Sequence, residues 1–460
     1  MSAKPSPRAT ERMVYMTDVD ILGVGFGPAN LALAIAIEEY NAECAPGQSV
    51  RAMFVERRDQ FGWHPGMLLD GATMQIAFPK DLVTFRNPRS AYSFVNYLFE
   101  RERLVDFVNH QTFFPTRHEF HDYLSWAVDR VDADVRFGTS VESIRAIGAG
   151  DVLEVRCDDG TMVRTRNVAI GAGLRQRIPQ WATPSARCFH NHDFLPRIAE
   201  LPDPAHRRFA VLGAGQSAAE VVQHLHKRFP RAEVHSIFSR YGYSPADDSP
   251  YANRIFDPGA VDELHRAPAE VRADLLARHR STNYSVVDIE LIDELYRAEY
   301  AERVSGDRRL FMRRASSVDS VVDTATGINV VVRDHISGAT DTLECDALVL
   351  ATGFEPAPLR PMLGELAPTQ TAEQIVSRDY RLATPATVTV TAGIYLQGGT
   401  EKTHGITSSL LSNVAVRAGE ILDSVVTGRG GVGCSVRIDP STETSRRVTP
   451  ATTFAGSATR

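Results

Sequence analysis

The stretch Ile21-Leu22-Gly23-Val24-Gly25-Phe26-Gly27-Pro28-Ala29-Asn30 decides the architecture. Residues 20–24 read as a short buried strand, the glycines as a sharp turn, and the apolar run 29–40 as a helix. Strand, Gly-rich turn and helix in that order open a βαβ unit that binds a dinucleotide. Gly23 permits the tight turn, and Gly25 lets the backbone approach a pyrophosphate without a Cβ in the way. The helix start offers free N–H groups and the positive end of its dipole to the phosphates. Gly27 precedes Pro28, which occupies the third fingerprint position; a proline is tolerated in a first helical turn because its missing N–H had no intrahelical partner. The next strand, 52–56, ends in Glu56, placed to accept hydrogen bonds from ribose hydroxyls.

The pattern returns at mid-chain. An apolar strand, 208–212, leads into Gly213-Ala214-Gly215-Gln216-Ser217-Ala218 and a helix over 218–227. The following strand, 234–238, ends in Ser239-Arg240 rather than in an acid. A carboxylate there would select NAD, whereas a hydroxyl and a cation suit a 2′-phosphate, so this loop reads as an NADPH site. A solvated surface arginine is the plain alternative for Arg240. Two strand ends rich in small residues, Ile170-Gly-Ala-Gly173 and Ala351-Thr352-Gly353-Phe354, let the chain pass close to a bound dinucleotide.

These motifs predict an α/β fold with two Rossmann-like dinucleotide-binding domains, for FAD and NADPH, and a small, mostly helical substrate-binding region. The expected division is a disordered leader over 1–16 and a first FAD-domain part over 17–206. An NADPH domain over 207–339 follows, with its helical segment near 245–300. A second FAD-domain part over 340–427 and a flexible tail over 428–460 complete the chain. Residues 57–120 read as irregular, 118–131 as helix, and about 408–425 as the last helix, of which Ser408 could be the N-cap.

Composition narrows the function classes. The 460 residues carry a net charge of −7, with 43% apolar and 23% charged residues, an ordinary globular balance that points to neither nucleic acid nor membrane. The five cysteines are scattered and form no CxxC pair, which argues against a disulfide framework or a zinc site, and no metal is expected. The polar residues 1–15 hold no signal-peptide core and no run of about 18 apolar residues occurs, so a cytoplasmic enzyme is expected.

Several longer strings carry a family resemblance. They are Phe61-Gly-Trp63-His64, Met74-Gln75-Ile-Ala-Phe-Pro-Lys80-Asp81, Asn87-Pro-Arg-Ser, Phe114-Pro-Thr-Arg117, Asp248-Ser-Pro-Tyr-Ala-Asn253, Thr282-Asn283-Tyr284-Ser-Val-Val-Asp288, and Thr403-His404-Gly405 running into Ser408-Ser-Leu-Leu-Ser412. Over residues 18–425 the chain resembles the N-hydroxylating flavin monooxygenases of siderophore and related biosynthesis, above all their ornithine N5-hydroxylases. The resemblance implies that NADPH reduces FAD, that the reduced flavin takes up O2 as a C4a-hydroperoxide, and that a side-chain amine becomes a hydroxylamine. It implies Lys80 as the partner of the substrate carboxylate, Asn253 and Asn283 as holders of the amino acid, and Ser408 near flavin and substrate. Met74, Gln75, Trp63 and His64 would line the flavin, Tyr284 the nicotinamide entrance, and Ile406 the cofactor site. Family members are often homotetramers. Lys80 could otherwise be a surface charge, and the two asparagines turn or cap residues. The chain departs from the family pattern at Pro79 and Pro28, and at Ser239, where some relatives carry their phosphate-binding arginine. A lysine or diamine (putrescine, cadaverine) hydroxylase is the alternative within the class. A flavin disulfide reductase would need a CxxC, and a protein keeping FAD structurally would make no hydroxylated product.

Overall fold

The computed structural model describes residues 16–201, 207–282, 284–368 and 376–428. The opening motif forms strand β1 (Ile21–Val24), helix α1 (Pro28–Glu43) and strand β2 (Ala52–Glu56). With β3 (Asp134–Phe137) and β4 (Asn167–Ile170) they build a parallel sheet in the order β4-β1-β2-β3. Residues 30–37 of α1 are buried without a break, which is why that helix is apolar all round instead of amphipathic. The expected leader falls on residues outside those described, except Met16, which already belongs to a strand, Met16–Val19, paired parallel with Met162–Thr165.

The span 57–120, expected to be irregular, holds two helices, Phe94–Glu100 and Leu104–His110. Each is about two turns long, too short for a 3.6-residue period to show in the sequence. The Ser93 hydroxyl caps the first by accepting the Asn96 N–H at 3.2 Å. Phe94 then packs against Phe120 and Tyr123 of the helix Arg117–Arg130, Tyr97 against Tyr123, and Phe107 against Phe94.

The second motif sits in a separate parallel sheet. Its elements are β5 (Cys188–His190), β6 (Arg208–Leu212), α2 (Gln216–Arg228) and β7 (Glu233–Ile237). Helix α3 (Pro258–Arg266), helix α4 (Ile289–Ser305), β8 (Leu310–Arg313) and β9 (Ala347–Leu350) follow, and the strand order is β5-β9-β6-β7-β8. Strand β9 was expected in the second part of the FAD domain; it lies instead at the heart of this sheet, with Phe209 opposite Ala347 and Leu212 opposite Leu350. A four-residue apolar run suits the middle of either parallel sheet, so order along the chain could not decide between them. Phe209, Val211 and Val349 pack with Ala218, Val221 and Val222 of α2, whereas Ala210, Leu348 and Leu350 pack with an antiparallel three-stranded sheet over 316–345.

The chain re-enters the first sheet only at β10 (Gly393–Leu396), parallel to β4, and ends its described part in helix α5 (Val414–Thr427), which packs along α1. That last helix begins at Val414 rather than near residue 408, and residues 406–409 and 411–413 form two 3₁₀ turns before it. Ser408 is therefore not its N-cap; Asn413 holds that position. The expected tail lies outside the described residues beyond Gly428.

Candidate active site

The first loop shows two kinds of glycine. Gly25 has φ +81°, and a Cβ there would lie 2.5 Å from the backbone oxygen of Gly171, while one on Gly23 would enter the Phe54 ring. Gly27, the N-cap of α1, is extended, and a Cβ on it would meet nothing within 4 Å. The open space at this loop lies in front of Gly27, while Gly25 is required because the loop runs against the end of β4. Asn30, which carries no motif signal, locks this contact. It is 1% exposed, and its amide donates to the carbonyls of Gly25 (2.6 Å), Val24 (3.1 Å) and Ala169 (3.3 Å). Glu56 accepts the Phe26 N–H (2.8 Å) and the Arg58 N–H (3.0 Å), so its carboxylate shapes the loop as well as standing at the strand end.

The second loop is built likewise. Gly213 has φ +147°, and a Cβ there would lie 2.3 Å from the Ala351 oxygen; one on Gly215 would come within 3.5 Å of Ser285 Cα. Gln216 and Ser217 open α2. Gln216 Oε1 accepts the Asp288 N–H (2.9 Å), and its Nε2 donates to Asp288 (2.8 Å) and Glu220 (3.0 Å). Arg117 forks onto Glu220 with two 2.7 Å bonds. Gln75, expected to line the flavin, is exposed and donates to Asp288 at 3.1 Å. Burial pushes the Glu220 and Asp288 carboxyls up, against the pull of Arg117 and Gln75 respectively. This chain of contacts joins Gln75, Arg117 and Asp288 to the second loop; the sequence held its members in four separate motifs, with nothing to show that they meet.

Arg240 and Ser239 are both exposed beside this loop, and the Arg240 guanidinium donates to the Ser285 carbonyl (2.8 Å) and the Ser244 hydroxyl (3.2 Å). The Tyr284 hydroxyl donates to Glu401 at 2.8 Å, joining this region to the turn before Ser408. The Thr352 hydroxyl donates to the Arg177 carbonyl, and Gly353, at φ +81°, accepts from His190 at 2.9 Å. Trp63 and His64 pack edge to face at 5.1 Å. His64 is left-handed at φ 47°, and burial, helped by His192, Arg117 and Arg58, pushes its imidazole down to about 4. Met74 is buried in the first core, and Ile406 is wholly buried.

At the far end stand the residues expected to hold substrate. The turn Ala77–Lys80 closes through a 2.9 Å bond from the Lys80 N–H to the Ala77 carbonyl, with Pro79 inside it. The half-buried Lys80 ammonium lies 5.7 Å from the centre of the Phe256 ring; burial lowers its pKa and Asp257 opposes the shift. Phe256 ends the 3₁₀ turn Ala252–Phe256, which carries Asn253 and packs against residues 406–409. The Asn253 amide donates to the Asp248 carbonyl at 2.6 Å, the turn role that was its alternative. Asn283 lies outside the described residues. Gly405, at φ +86°, brings Leu264 of α3 onto the Ser408 turn, since a Cβ there would lie 2.4 Å from Leu264 Cδ1.

Ser408 is 1% exposed and its hydroxyl has no partner among the described residues. The Thr400 and Ser412 hydroxyls and both side-chain atoms of Asn413 are likewise buried and unpartnered among the described residues. Buried polar atoms are almost always hydrogen-bonded, so five unmet atoms between residues 400 and 413 fit a ligand that the polypeptide does not supply. With the open face of Gly27 and a first turn of α1 free of acidic residues, the site fits an extended dinucleotide running from α1 toward Ser408. Among the described residues no group of His, Cys, Asp or Glu is arranged to hold a metal ion.

The family model for L-lysine 6-monooxygenase/L-ornithine 5-monooxygenase matches residues 17–356. The chain belongs to this family. An L-ornithine N(5)-monooxygenase of Burkholderia cepacia is 44% identical over 406 residues, covering 85% of this chain and 90% of the relative. Among solved structures, the ornithine N-hydroxylase of Kutzneria sp. 744, with reduced FAD, NADP+ and L-ornithine, is 44% identical with a TM-score of 0.84. It aligns with 90% of this chain and 100% of its own. The ornithine hydroxylase of Pseudomonas aeruginosa is 37% identical with a TM-score of 0.82 over the same shares. The matched span takes in both Gly-rich loops and the helical segment that follows the second.

Proposed function

We propose that this chain is an FAD- and NADPH-dependent L-ornithine N5-monooxygenase, which hydroxylates the side-chain amine with O2 for siderophore or related natural-product biosynthesis. The observation that carries the reading is the junction of three distant segments. Lys80 stands over Phe256 of the Asn253 turn, and that turn packs on the Ser408 turn with its unmet polar atoms. A cation and neutral polar groups on adjoining turns suit an amino acid whose terminal amine must be uncharged to react. The names of the similar proteins support ornithine over lysine or a diamine.

In this reading FAD, reduced by NADPH, supplies the activated oxygen. Lys80 takes the substrate carboxylate, Asn253 and Asn283 hold the α-amine and chain, and Ser408 faces the reacting end. The low dielectric of the site disfavours the ammonium form of the side chain, whose ordinary pKa is about 10.4. Chain length then sets the terminal nitrogen, and reaction needs contact near 3 Å. Arg240 beside Ser239 takes the 2′-phosphate of NADPH. No helix among the described residues is long and apolar enough to cross a membrane. A cytoplasmic homotetramer that binds no nucleic acid completes the proposal.

The test compares hydroxylamine formed with NADPH consumed for ornithine, lysine and putrescine. Ornithine is expected to couple the two nearly one to one. Lysine, one methylene longer, differs by only about 1–3 kcal/mol in binding and should consume NADPH while yielding little hydroxylamine. Efficient hydroxylation of lysine or putrescine would overturn the substrate reading.

A further inference from the structure

The side chain of Arg417, in the first turn of α5, is 3% exposed, yet among the described residues no carboxylate lies within ion-pair distance of it. Glu420, on the same helix, gives both oxygens to Arg378, at 2.7 and 2.8 Å. The Arg417 guanidinium donates instead to two neutral oxygens, the Ser408 carbonyl at 2.8 Å and Gln397 Oε1 at 3.1 Å. Gln397 passes the contact on, its Nε2 donating to the carbonyl of Ala29 in the first turn of α1 at 3.3 Å. One buried cation thus joins the start of the phosphate-binding helix to the turn that carries Ser408. Tyr380 and Glu420 favour the charge without pairing with it, yet burying a guanidinium whose hydrogen bonds all go to neutral oxygens remains costly.

We propose that Arg417 is a positioning and tuning residue for the flavin, an inference that rests on the reading that FAD occupies this site. Arg417 is too buried to touch the cofactor. It holds the Ser408 carbonyl, which orients the unpartnered hydroxyl, and it sets a positive charge behind the strip of unmet polar groups. Oxidised flavin is neutral, while the two-electron reduced ring readily gives up a proton and becomes an anion. A fixed cation in a low-dielectric surround favours the reduced form and raises the two-electron potential. A purely structural arginine would alter stability without altering that potential.

The experiment measures the flavin's two-electron potential in the FAD-loaded wild type, Arg417→Gln, Arg417→Lys and Gln397→Glu, together with ornithine KM. Gln397→Glu leaves the arginine in place and neutralises it with a new ion partner, so it does not open a hole in the core. Arg417→Gln and Gln397→Glu should each lower the ratio of reduced-to-oxidised FAD affinity about tenfold, a fall of about 30 mV for a two-electron couple. Arg417→Lys should keep the wild-type potential within a few millivolts, yet raise ornithine KM several-fold because the Ser408 clamp is lost. Unchanged potentials in Arg417→Gln and Gln397→Glu would overturn the proposal. So would a failure of both variants to fold, which would make the residue structural only. A wild type that takes up no FAD would instead sink the cofactor reading on which the proposal rests.

Discussion

Replacing Gly25 and Gly27 separately by alanine tells apart two reasons for a glycine that the sequence motif merges. At Gly25 the new methyl would sit 2.5 Å from a backbone oxygen, in a residue held at φ +81°. The conformation costs a non-glycine residue about 1–3 kcal/mol, and the overlap, against backbone that cannot rotate away, a further 1–3 kcal/mol or so. The sum, roughly 2–6 kcal/mol, is a large share of a typical stability of about 5–15 kcal/mol. At about 1 kcal/mol per degree for a chain of this size, it should lower the melting temperature of the FAD-free protein by roughly 2–6 °C. At Gly27 the backbone is extended and the methyl meets nothing, so the FAD-free protein should melt within about 1 °C of wild type. On the proposed reading that methyl stands in the pyrophosphate's place, and FAD should bind at least about tenfold more weakly, or about 1.4 kcal/mol. Circular dichroism melts of the stripped proteins and FAD titrations followed by flavin fluorescence make both measurements. Equal melting of the two stripped variants would refute the assignment of Gly25 to packing. Undiminished FAD affinity in Gly27→Ala would move the pyrophosphate elsewhere.

Lys80→Ala should raise ornithine KM by roughly 10- to 100-fold, the worth of a charged hydrogen bond at about 1.5–3 kcal/mol, while NADPH still reduces the flavin at the wild-type rate in stopped flow. An unchanged KM would remove Lys80 from the carboxylate. Arg240→Ala should cut the preference for NADPH over NADH about tenfold or more in kcat/KM, and equal preference before and after would place the 2′-phosphate on another residue. His64, His235 and His404 are each pushed down to about 4, chiefly by burial, from an ordinary 6.5. The fold favours their neutral forms, so stability is full above pH 6.5 and falls as pH drops from 6.5 to about 4, where the unfolded chain binds protons that the folded one does not. Urea midpoints across that range should decline, and His404→Gln should flatten the decline; a level wild-type profile would contradict the burial of these rings.

Local chemistry made some of this legible in the sequence. A strand, a glycine turn and a helix are contiguous, so both dinucleotide loops could be read directly, and with them β1, α1, β6 and α2. The two seven-residue helices escaped because a short helix leaves too little period. The sheet that takes β9 escaped because a buried apolar run is the same in any parallel sheet.

What only the tertiary structure decided is which distant residues meet and which polar atoms are left unpaired. Asn30 looked like one polar residue in an apolar helix; its importance appears only when the ends of β1 and β4 come within reach of its amide. Arg117 and Glu220, or Gln75 and Asp288, carry no mark of partnership along the chain, because hydrogen bonds form between surfaces that folding brings together. Arg417 reads as an ordinary helical arginine, and nothing in the order of residues shows that it lies buried with Gln397 and the Ser408 carbonyl in place of a carboxylate. The sequence by itself determined the cofactor-binding loops, whose geometry is local. Which residues meet around them depends on long-range packing, where burial and unmet hydrogen bonds are properties of the fold and not of any segment.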